Sequence, residues 1–115
     1  MGERDLIKVF QSTDIIVTPG EVVLRKGHAN LWRGREAVGG RLWLTSSWLV
    51  FRSHSINVQT GVWAWPLKEI VSTAPVNTLA IVPNGLEIGL RSEERIRFVV
   101  HRRREWMNAI GKAKG

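Results

Sequence analysis

Apolar and polar residues alternate along this chain in short runs, broken by glycine, proline and serine. A period of two between turn residues is the pattern of half-buried strands. The most regular stretch is RLWLTSSWLVFRSH, residues 41–54, which reads as two strands around Ser46-Ser47. With the turn centred there, Leu44 opposes Leu49 and Leu42 opposes Phe51, and these four form the core side. Trp43 then opposes Val50, Thr45 opposes Trp48 and Arg41 opposes Arg52 on the other face. A three-residue loop would shift the pairing by one and undo this assignment. Facing arginines are mildly unfavourable, although guanidinium groups stack well on aromatic rings. The second face is therefore either covered by another segment, most simply residues 5–18, or is a contact surface.

Residues 5–18 are apolar but irregular, fitting strand or helix equally, and Thr18-Pro19-Gly20-Glu21 reads as a turn. Val22 to Trp32 predicts a long strand with a bend at Gly27. Gly34 to Gly40 reads as a loop or bulged connection, and His54 to Gly61 as a longer polar loop. Val62 to Leu67 predicts a strand ending at Pro66. Ile70–Val76 and Leu79–Val82 read as one strand or two. Pro83-Asn84-Gly85 is the strongest turn signal, because Asn-Gly supplies the positive-φ residues of a two-residue hairpin loop. Leu86–Leu90 alternates, Arg91–Glu94 turns, and Arg95–Val100 is the last strand. The period then changes: Trp106, Met107, Ile110 and Ala113 sit at helical spacing. The expectation is one mostly-β domain over residues 1–115. It has about seven antiparallel strands in a small barrel or sandwich, and the apolar stripe of a C-terminal helix plugs one end.

Three segments carry a family resemblance. They are AVGGRLWLTSSWLVFRSHSINVQ, PLKEIVSTAPVNTLAIVPNGLEI and RIRFVVHRRREWMNAI. Their order and content resemble the GRAM domain over roughly residues 20–112, leaving 1–19 as an N-terminal extension or first strand. The resemblance implies the pleckstrin-homology-like fold, a seven-stranded bent barrel capped by a C-terminal helix. It also implies a non-enzymatic interaction module. Where such domains hold phosphoinositide head groups, they often do so with basic residues on the first strand–loop–strand unit. Lys26, Arg33 and Arg35 loosely follow that pattern. Two departures stand out: Trp43 occupies the family's usual tyrosine position, and Trp48 a position that is often basic.

Charge then narrows the partners. Seventeen Lys+Arg against ten Asp+Glu give a formal charge of +7, which favours an anionic surface. Lys26, Arg33, Arg35 and Arg41 are the candidate head-group residues, since guanidinium pairs bidentately with phosphate. Arg102, Arg103 and Arg104 form a second basic patch. A helix starting there would set three cations at its positive end, which a start at Glu105 would avoid. Trp43, Trp48 and Arg52 are the candidate interaction face for a protein partner or self-association, with an exposed barrel edge as the other route. Nucleic acid ranks below these, because no recognised motif is present. His28, His54 and His101 lack metal-ligand spacing, and the serines and carboxylates form no catalytic pattern. No cofactor or metal is expected. The absence of cysteine excludes disulfides and thiolate chemistry. With neither a signal peptide nor a membrane span legible, the expected location is cytoplasmic, peripheral to the membrane.

Overall fold

A computed structural model describes residues 3–54, 61–79 and 81–115. Its elements are helix α1 (Glu3–Phe10), strands β1 (Val23–Arg33), β2 (Glu36–Thr45), β3 (Trp48–Ser53), β4 (Val62–Pro66), β5 (Ile70–Thr78), β6 (Val82–Leu90) and β7 (Arg95–Val100), and helix α2 (Arg103–Lys114). The seven strands form one antiparallel sheet in the order β4-β3-β2-β1-β7-β6-β5, so it curls into a half-barrel with β4 and β5 at its ends.

The β2–β3 register matches the alternation in sequence: Arg41 pairs with Arg52, Leu42 with Phe51, Trp43 with Val50 and Leu44 with Leu49. Ser46-Ser47 is a weak hairpin turn by itself. It is held from outside by the buried Glu21, whose carboxylate accepts hydrogen bonds from Ser47 N (3.0 Å), Ser47 Oγ (2.9 Å) and Thr45 Oγ1 (3.2 Å).

Both faces of β1–β3 carry buried positions, covered by different helices. The inner face, with Ala29, Leu31, Leu42, Leu44, Leu49 and Phe51, joins the main core, which Trp106 and Ile110 of α2 close. The outer face, with Trp43 and Val50, is buried against Val9 and Phe10 of α1. A register irregularity at Leu24 makes the division possible. It places Val23 in the outer cluster and sends Arg25 inward, with its guanidinium 5.0 Å from the Trp106 ring centre.

Several expectations change. Residues 5–18 become helix and then irregular chain, because burial against the sheet decides what their irregular pattern left open. Gly34 to Gly40 is not a loop: the turn is only Gly34-Arg35, and Glu36–Gly40 belong to β2. Gly40 is needed inside that strand, since a Cβ there would lie 2.2 Å from Arg52 O. The Asn84-Gly85 turn is also displaced. The chain reverses between Thr78 and Val82, and Gly85 sits within β6 opposite Val76, whose carbonyl oxygen would be 2.6 Å from an added Cβ. Helix α2 begins at Arg103, with Arg102 just outside it in the left-handed region at φ 60°. Most of the expected 54–61 loop lies outside the described residues.

Candidate functional site

Pleating decides what each candidate cation does. Lys26 and Arg41 both flank Trp43, at 5.5 and 5.9 Å from its ring centre. Lys26 also lies 3.8 Å from the Asp5 carboxylate of α1. Arg33 ends β1 with its guanidinium 5.3 Å from the Trp63 ring centre, and Arg35 is exposed in the following turn. Arg41 pairs with His28, five residues back along β1 from Arg33. At about 3.3 Å per residue that is roughly 17 Å, too far for the four to grip one phosphate group. The four cations therefore form two groups, Arg33/Arg35 at the turn and Lys26/Arg41 around Trp43.

The expected interaction face is largely covered. Trp43 is 2% exposed, while Trp48 is half-buried with its ring edge-on to Phe10. Arg52 is tied to the helix beneath which it lies, donating from Nη1 to Val9 O (3.0 Å) and Gln11 O (2.6 Å). These bonds satisfy carbonyls at the end of α1, and burial lowers the guanidinium from its ordinary pKa. The reason for the coverage is hydrophobic: Val9, Phe10, Val23 and Val50 leave no room for a partner on Trp43.

Internal work also occupies other arginines. Arg103 Nη1 donates to Val76 O (2.7 Å) and Gly85 O (3.3 Å), fastening α2 to the β5–β6 hairpin. Arg25 and Arg102 both reach Glu105, at 3.4 and 3.3 Å. Arg95 and Arg97 clamp the buried Glu87 at 2.7 and 3.0 Å. The hydrogen bond from Arg95 chiefly lowers the Glu87 pKa; burial opposes it and Arg97 adds to it. None of the described ion pairs involves Arg33, Arg35, Arg41 or Arg104.

Two groupings were not legible in sequence. His28 and His54, on β1 and just after β3, stack with ring centres 5.2 Å apart. Lys68, Arg91 and Lys114 converge with Ser46, Ser47 and Trp48 on a cavity of about 750 Å³ beside the end of α2. Only the tertiary fold brings these segments together. Among the described residues, no cluster of three or more His, Asp or Glu side chains is placed to hold a metal ion.

The GRAM-domain family model matches residues 7–113. The chain belongs to the GRAM domain family. Solved structures agree on the fold. The C-terminal domain of an unknown protein from Leishmania infantum superposes with a TM-score of 0.76 at 18% identity, covering 97% of this chain and 96% of that one. The N-terminal PH domain of Vps36 gives 0.62 at 15% identity, covering 84% of each chain. The N-terminal PH domain of human ARAP2 gives 0.59 at 14% identity, covering 78% and 77%. At these identities the likeness establishes the pleckstrin-homology-like fold alone. No curated protein matches the sequence. GRAM and pleckstrin-homology-like domains are generally non-catalytic interaction modules, and no described helix of this one is long and apolar enough to cross a membrane.

Proposed function

We propose that this GRAM domain attaches peripherally to anionic lipid surfaces by distributed electrostatic attraction rather than through one head-group pocket. The observation that carries this reading is the sorting of the arginines. Those that meet carboxylates or backbone carbonyls stabilise the fold. Arg33, Arg35 and Arg41 stand exposed on the β1–β2 hairpin and enter none of the described ion pairs. Each basic residue near an anionic leaflet contributes about 1 kcal/mol, so the three together supply about 3 kcal/mol. Their separation along the hairpin argues against recognition of a single phosphorylated head group.

The test is vesicle co-sedimentation of the wild type and of an Arg33→Gln/Arg35→Gln/Arg41→Gln variant. Binding should rise with the fraction of anionic lipid, fall on neutralising the three, and resist competition by a soluble inositol polyphosphate. Unchanged binding by the variant would remove these residues from the mechanism. Complete competition would point instead to a defined head-group site. No vesicle binding, with a protein captured along the β4 or β5 edge, would favour the rival reading of strand addition to a partner.

A further inference from the structure

The β5–β6 hairpin turns where the sequence gives it least help. Asn84-Gly85 would make a favourable hairpin loop, yet these residues lie inside β6, and the chain reverses around Leu79 and Ile81. Leu79 takes a left-handed φ of 52°, which leucine seldom adopts. Leu79 is 81% exposed, Ile81 79% and Val82 40%. Two large aliphatic side chains thus stand at a hairpin tip and do nothing for the core.

The base of the hairpin is tied down. Thr78 Oγ1 hydrogen-bonds Asn84 Oδ1 across its base, Ile81 N donates to Thr78 O (3.2 Å), and Arg103 binds the carbonyls of Val76 and Gly85. Arg103 is also what brings the start of α2 here, with the exposed Arg104 next to it in sequence, while Arg102 on its other side is held by Glu105 at 3.3 Å. On the other flank, Leu79 and Gly34 line one cavity of about 260 Å³ with Trp32 and Arg97, so the Arg33–Arg35 turn is a close neighbour. An apolar tip with exposed arginines on both sides, Arg33/Arg35 and Arg104, has the chemistry of a leaflet of anionic lipid: acyl chains for the aliphatics and phosphates for the guanidinium groups.

We propose that the β5–β6 hairpin tip, Leu79 and Ile81 with Val82 behind them, inserts into an anionic membrane while Arg33/Arg35 and Arg104 sit at the head-group level. This rests on the membrane reading above and adds to it an inserting element and an orientation. The tip supplies a salt-resistant part of the attraction, and the arginines supply the salt-sensitive part.

Because the chain has no cysteine, a single Leu79→Cys carries an environment-sensitive fluorophore without background labelling. On vesicles containing phosphatidylserine, that label should shift to the blue and be quenched by nitroxides on the acyl chains. A label at Asn108→Cys, on the exposed face of α2, should do neither. A Leu79→Ser/Ile81→Ser variant should lose roughly tenfold in partitioning per side chain and become wholly salt-sensitive. Both positions are exposed, so its thermal unfolding should match the wild type. Wild-type binding with equal binding by the variant, or an unshifted label at Leu79, would overturn the insertion while leaving electrostatic attachment standing. Absence of wild-type binding to anionic vesicles would overturn both. A concentration-dependent dimer abolished by the double substitution would assign the tip to a second copy of this chain and overturn the insertion.

Discussion

Replacing Glu87 by glutamine should destabilise the domain at neutral pH and leave it nearly unchanged in acid. The Glu87 side chain is 9% exposed and meets Arg95 at 2.7 Å and Arg97 at 3.0 Å, while the arginine side chains are 68% and 58% exposed. Solvent at the arginine end screens each pair, so each is given about 0.5–1 kcal/mol, and the substitution should cost about 1–2 kcal/mol at pH 7. For a domain near this size that lowers Tm by roughly 4–16 °C. The hydrogen bond from Arg95 leads in holding the folded carboxyl below its ordinary value of 4.5. The unfolded chain therefore binds the proton first as pH falls. The stabilisation is complete above the ordinary carboxylate range and is lost as pH drops through the folded value. In that acid range the wild type carries a neutral group at position 87, much as the glutamine variant does at every pH. Urea unfolding at pH 7 and at successive steps down through and below the carboxylate range measures both differences. A cost that stays constant down to the acid limit of the folded state would mean that packing, not charge, explains the effect. No cost at pH 7 would mean that the clamp contributes nothing.

Other substitutions test the packing. Trp106→Ala should cost about 3–5 kcal/mol in chemical unfolding, because Trp106 is 2% exposed and joins α2 to the sheet. Gly40→Ala should cost at least about 2 kcal/mol by the same assay, since the new Cβ would meet Arg52 O and Phe51 Cζ at 2.2 and 2.7 Å. Arg52→Met should accelerate amide exchange and proteolysis across residues 3–11 far more than in β6. It removes the two carbonyl contacts at the end of α1 but none in the main core.

Much of the fold is legible because local pattern and tertiary demand agree. The Leu42/Leu44 and Leu49/Phe51 alternation defines the β2–β3 register, and the spacing of Trp106 and Ile110 defines the buried stripe of α2. The pattern misleads where a residue answers to a distant neighbour. Gly85 reads as a turn residue, but its lack of a side chain serves the close passage of Val76. Gly39-Gly40 reads as a loop, yet Gly40 lies in a strand beneath Arg52 O. Residues 5–10 are helical where they bury Val9 and Phe10 on a sheet face that sequence alone could not say was covered. The candidate head-group residues fall into two groups for a related reason. Lys26, Arg33, Arg35 and Arg41 are close in sequence, but pleat and distance divide them, and the Leu24 irregularity turns Arg25 inward beside them.

The proposed membrane attachment depends on exposed arginines of a GRAM fold meeting anionic lipid. Wild-type co-sedimentation with neutral and with phosphatidylserine-containing vesicles, at about 50 and 200 mM salt, tests it most directly, because that span shortens the screening length about twofold. The domain should not sediment with neutral vesicles, should sediment strongly with anionic ones at low salt, and should show a weaker bound fraction at high salt. Equal behaviour on neutral and anionic vesicles, or no binding to either, would contradict it.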